Sequence, residues 1–198
     1  MRRPMGGRRA GPPPLPITHR LANILVSRHV QQIGLTFGSV IKLPADYRTI
    51  ADYLRAGHVK ISYDPARLAR HDADAMYDQN IDTLVFDHPD FVSTAKGRAE
   101  AVHEVSHAVA DLRRGNTAMR TEEAAAHVAE VWFAMNAGEL NEGGYLQNTL
   151  SVAADMRRRA SQGLPVQATS REINAVRGDM AQLGIENAHY RFNGIRTT

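Results

Sequence analysis

The sequence predicts an α+β fold, a small twisted sheet packed on a long helix with a helical second half. Two observations point there. Short runs rich in β-branched and aromatic residues crowd into the first half, and apolar residues at helical spacing fill the second. With 198 residues, 43% hydrophobic and 23% charged, the chain can bury one core but not comfortably two. Residues 17–198 are therefore expected to form a single domain.

Residues 1–16 hold Arg2, Arg3, Arg8 and Arg9 among prolines and glycines and no acid. Such a stretch cannot bury apolar surface and reads as a flexible arm. Its four arginines exceed the whole net charge of +3, so the remainder is close to neutral and a basic nucleic-acid groove is not expected. No apolar run follows the arginines as in a secretory signal, and none approaches the ~20 residues of a membrane helix. The chain is expected to be cytoplasmic as synthesised, any secretion using a route independent of a signal peptide. With no cysteine, thiolate zinc sites, disulfides and a cysteine nucleophile are excluded, and any metal must use His, Asp or Glu.

From Thr18, a candidate N-cap, Leu21, Ile24 and Leu25 give a helix extending toward Val30 and Ile33. Leu35–Leu43 reads as one strand ended by Pro44, and Ala45–Ala56, with Tyr47, Ile50, Ala51 and Leu54 on one face, as a helix. Val59–Tyr63 and Ile81–Phe86 are expected strands, and the polar stretch between them is expected to be irregular. Helices are expected over 95–114, 118–137, 144–161 and 169–183, with Gly115, Gly138 and Gly163 as stops, and a last strand over 189–192.

The segment AEAVHEVSHAVADL carries His103, Glu104 and His107 as H-E-x-x-H. Chance would produce the pattern in this composition roughly 0.02 times. Val102, Val105, Val109 and Leu112 form an apolar stripe, and the two histidines lie one turn apart on a neighbouring face. Two imidazoles so placed can share a tetrahedral Zn²⁺, and Glu104, turned by about 100°, can act as general base on the zinc-bound water. A third ligand is expected from TEEAAAHVAEVWFAM, whose candidates are Glu122, Glu123, His127 and Glu130. Glu123 is favoured because it flanks the packed stripe Val128, Val131, Trp132 and Met135, with Glu122 and Glu130 projecting farther away; His127 is the alternative. Asp111 is a candidate partner for a ligand imidazole, and Tyr145, His189 and Tyr190 are candidates for stabilising a substrate oxyanion. Arg157 to Arg159 read as a helix C-terminus rather than a nucleic-acid patch.

HEVSHA followed by EEAAAHVAE resembles the gluzincin arrangement of thermolysin-like zinc peptidases. It is nearer to small bacterial forms, the ImmA/IrrE group and metallopeptidase domains attached to polymorphic toxins and secretion-system effectors. The likeness covers about residues 81–135 and departs from the pattern at His127, where an aromatic is usual. Metzincins are excluded, because AVADLRRG follows His107 in place of their third-histidine motif. The resemblance implies a zincin-like fold with His103, His107 and Glu123 as zinc ligands and Glu104 as base. The expected function is zinc-dependent hydrolysis of peptide bonds in a protein or peptide substrate that adds to an edge strand, expected at Ile81–Phe86. It also implies that the chain could be a toxin or effector, with an immunity or inhibitor protein as partner. The alternative is a zincin-fold binding or regulatory module without turnover.

Overall fold

A computed structural model describes residues 15–197. The arm expected over residues 1–16 thus falls, apart from Leu15 and Pro16, outside the described residues. The architecture is α+β. Helices α1 (Ile17–Leu25) and α2 (Pro44–Ala56) pair through Leu21, Leu25, Ile50 and Leu54 and rest against α4 (Ala95–Leu112). Val30 and Ile33 are buried beyond the end of α1 rather than within it. Pro44 opens α2 instead of closing a strand: a first-turn position has no use for the N–H that proline lacks.

The expected strand Leu35–Leu43 is a hairpin, β1 (Leu35–Phe37) and β2 (Val40–Lys42), reversing at Gly38 with φ +63°. Glycine followed by serine between apolar runs is the turn signal that the strand reading passed over.

The main sheet has the order β3 (Lys60–Tyr63), β5 (Thr83–Phe86), β4 (Ala75–Asp78), with β3 parallel and β4 antiparallel to β5. Ile81–Phe86 therefore supplies the central strand, not the edge. The edge beside α4 is β4, from the segment expected to be irregular, which also contains α3 (Pro65–Arg70). Asp64 caps α3 by accepting from the Arg67 amide at 2.8 Å, a side-chain cap followed by a proline at the first helical position.

Helix α4 and α5 (Met119–Ala137) form the hairpin at the centre of the molecule. They run antiparallel, since His107 faces Glu122 and Glu123 whereas His103 faces Glu130. The buried alanines 124, 125 and 126 let the two helices approach closely. The turn is made at Arg114, in the left-handed region at φ +52°, rather than at Gly115. Strand β6 (Asn116–Ala118) then pairs with β7 (His189–Arg191), the expected terminal strand. Helices α6 (Gln147–Ser161) and α7 (Ser170–Gln182) cover the other side of α5. Among the described residues no helix is long and apolar enough to cross a membrane.

Candidate metal centre

Helix α4 buries Val102, Val105 and Val109 in the core and turns His103 and His107 toward α5. The two imidazole Nε2 atoms lie 3.1 Å apart. Glu123, on the facing helix, places Oε2 3.4 Å from His103 Nε2 and 3.5 Å from His107 Nε2. Three donor atoms thus converge in a nearly equilateral triangle. A tetrahedral zinc ion about 2.0–2.1 Å from its ligands sets their atoms roughly 3.3 Å apart, so the triangle has the size that such an ion requires. At that distance one ring can donate an Nε2–H to the other, or both nitrogens can bind one cation.

The surroundings supply negative charge in excess. Glu130 Oε2 lies 3.2 Å from His103 Nδ1, and Glu122 Oε1 lies 3.4 Å from His107 Nδ1. Both carboxylates, expected to project away, are buried at 6% and 0% exposure and back the two histidines from behind the candidate ligand triangle. At His103 the hydrogen bond to Glu130 favours the tautomer that leaves Nε2 free to bind a metal, whereas His107 Nδ1 stands near Glu122 without a hydrogen bond. Lys42, completely buried, donates to Glu122 Oε1 at 2.7 Å and to the Ser106 carbonyl at 2.8 Å. Ser106 also meets the Tyr47 hydroxyl at 2.9 Å, locking this part of α4 to α2. Tyr190 on β7 donates to Glu123 Oε1 at 3.2 Å, occupying the carboxylate oxygen that faces away from the histidines.

Without a metal, these carboxylates dominate the protonation of the site. Burial opposes charge on the histidines, but Glu123 and Glu130 outweigh it at His103 and hold its pKa well above the ordinary value. At His107, burial is outweighed chiefly by Glu123 and Glu122, and the pKa is pushed up to about 9. In the other direction, burial of Glu130 is overcome by His103 and His127, which bring it down to about 2. Glu123 is held well below the usual carboxylate range against its burial, first by His107 and then by His103.

His127 is one turn beyond Glu123. Its Nδ1 shares Glu130 Oε2, at 3.1 Å, with His103, and its ring packs edge-on against that of His103 at 4.4 Å. His103, Glu123 and His127 also have ligand atoms within 4.8 Å of one another, so the alternative third ligand stands beside the favoured one. Glu104 stands beside the two histidines, a carboxylate oxygen lying within 4.8 Å of a ring nitrogen of each, and lines an open cleft of about 830 Å³. Its Oε2 accepts the backbone N–H of Tyr77 at 2.7 Å, which ties it to the edge strand β4.

Asp111 does not back an imidazole: it accepts from the Tyr77 hydroxyl at 2.8 Å and from the Gly194 amide at 2.6 Å. Tyr145 lines the cleft beside Glu130, whose charge together with burial raises its pKa. His189 is exposed. The arginines 157 to 159 bind Asn136, Asp155 and Glu172 within the protein. Sequence reasoning missed Lys42 and Tyr77, because neither lies near the motif; a lysine amid the apolar run VIKL was the one signal for the first.

The chain matches no family model, and searches of curated proteins and of solved structures also find no match.

Proposed function

We propose that this chain is a zinc-dependent metallopeptidase with a zincin-like fold. The observation that carries the reading is the triangle of His103 Nε2, His107 Nε2 and Glu123 Oε2 beside a cleft that contains the anchored carboxylate of Glu104. Zinc held by those three residues would act as a Lewis acid and lower the pKa of water.

The chain's own residues supply the rest. The Tyr77 N–H holds one oxygen of Glu104, leaving the other to take a proton from attacking water and pass it to the leaving amine. Because that N–H points away from β5, Ala75, two residues earlier, directs its backbone groups the same way, toward the cleft it lines. A substrate peptide can extend the sheet there, along β4.

The purified protein is expected to retain about one zinc per chain, and His103→Ala or His107→Ala to abolish binding with helical content kept. Glu104→Gln should keep the zinc and lose about 10²–10⁴ in hydrolysis rate. Full zinc retention by His107→Ala, or unchanged hydrolysis by Glu104→Gln, would overturn the reading. If the chain is a toxin or effector, its expression should arrest bacterial growth and Glu104→Gln should relieve the arrest.

One observation favours the rival, a metal-holding module without turnover: His127 could close the site as a fourth ligand. In that case His127→Ala would lose zinc as fully as His107→Ala. In the peptidase His127→Ala keeps it.

A further inference from the structure

Strand β4 is fastened to α4 twice through one residue. The Tyr77 N–H donates to Glu104 Oε2 at 2.7 Å, and the Tyr77 hydroxyl donates to Asp111 Oδ2 at 2.8 Å. Seven residues separate Glu104 from Asp111, which brings the two to within about 20° on the helix surface and sets them two turns, about 10.5 Å, apart along it. The length of a tyrosine lets one residue meet both carboxylates. The ladder to β5 makes β4 a strand, and the two bonds of Tyr77 set its position along α4.

The far end of this staple is held in turn. Asp111 is completely buried, and its other oxygen accepts the Gly194 amide at 2.6 Å. Asp82, also buried, has one oxygen 3.4 Å from the same Tyr77 hydroxyl and accepts the Arg196 amide on the other at 3.3 Å. The Asn193 side chain donates to the Gln79 carbonyl at 3.3 Å, and the Arg196 guanidinium donates to the Asn80 carbonyl. Residues 193–196 thus bind both Asp111 and the turn that leads from β4 into β5. Burial, reinforced by the charge of Asp111, raises the pKa of the Tyr77 hydroxyl, so it keeps its proton and acts as donor. A hydrogen bond to a buried carboxylate is strong and costly to leave unmade.

We infer that Tyr77 is a positioning residue for Glu104: its hydroxyl, clamped by Asp111 and residues 193–196, holds in place the backbone N–H that aims the carboxylate at attacking water. The role of Glu104 as base rests on the peptidase reading; the staple does not. A carboxylate that must take its proton in one orientation loses rate when it can turn away.

Tyr77→Phe keeps the ring and the backbone N–H and removes the hydroxyl alone. Amide exchange followed by NMR on the purified chain should show residue 77 exchanging at least about tenfold faster, with the β5 amides unchanged. Glu104→Ala, which removes the acceptor, should free the same amide. Against a peptide that the wild type cleaves, Tyr77→Phe should lower kcat about tenfold with KM within about twofold and zinc content kept. Asp111→Asn can still accept from Gly194 and can donate to the Tyr77 oxygen, so it should keep both the protection of residue 77 and most of the rate. Unchanged exchange at residue 77, or exchange that rises equally along β4 and β5, would overturn the inference. If the wild type cleaves nothing, faster exchange at residue 77 alone keeps the staple and sinks the peptidase. Cleavage whose kcat is untouched by Tyr77→Phe keeps the peptidase and sinks the inference.

Discussion

A single oxygen, Glu130 Oε2, faces the Nδ1 atoms of both His103 and His127. Removing it frees two rings at once, so Glu130→Ala should weaken zinc binding by about 10–100-fold in a competition titration with a chelator. Lys42 and Glu122 form an ion pair with no exposure on either side. Lys42→Met would leave a buried carboxylate without its cation, a loss of about 3–5 kcal/mol measured by urea unfolding, of which adding Glu122→Gln should recover a part. Proton binding by His107 gives a further test in the metal-free protein. Its folded pKa of about 9 exceeds the ordinary 6.5, because Glu123 and Glu122 outweigh burial. The folded state therefore holds the proton more tightly than the unfolded one. That stabilisation is complete below the unfolded pKa and is lost as pH rises through the folded one. The melting temperature of the metal-free chain should thus fall between pH 6.5 and 9, more steeply than that of the zinc-loaded chain, where the metal takes the proton's place.

Helix α4 begins under a tight constraint. Thr94 caps it by accepting from the Gly97 amide at 2.9 Å, and a Cβ on Gly97 would come within 2.0 Å of the Phe91 carbonyl oxygen. Gly97→Ala must displace backbone, and should cost about 3 kcal/mol or more by thermal unfolding. This helix was legible in the sequence because an apolar stripe and a motif at helical spacing coincide on it, and α5, α6 and α7 were legible for the first of those reasons. Strand β4 was not: AMYD is four residues long, without alternation, and is extended because β5 pairs with it. The same limit applied to β6, which exists only through its pairing with a segment some 70 residues away. Within the site, the residues brought together by α4 and α5 could be read from spacing. Glu122 and Glu130 were misjudged because a helical wheel assumes one partner face, whereas α5 is packed by α4 on one side and by α6 and α7 on the other.

The whole molecule surrounds the helix hairpin with walls from distant segments. Lys42 approaches from the β1–β2 hairpin, Tyr77 from the sheet edge and Tyr190 from β7. The candidate ligands lie within 21 residues of one another, from His103 to Glu123, while Lys42 stands 80 residues before its partner Glu122 and Tyr190 67 residues after its partner Glu123. This separation has a consequence for the order of assembly. Closing the short connection between α4 and α5 costs little chain entropy, whereas docking β2 and β7 closes far longer loops. Contacts across the α4–α5 seam are therefore expected early on the folding path and those of Tyr190 late. In stopped-flow experiments Ala125→Gly should mainly slow folding, and Tyr190→Phe should mainly speed unfolding. A chain that gathers these candidate ligands by local contacts could meet a cation before its walls have closed.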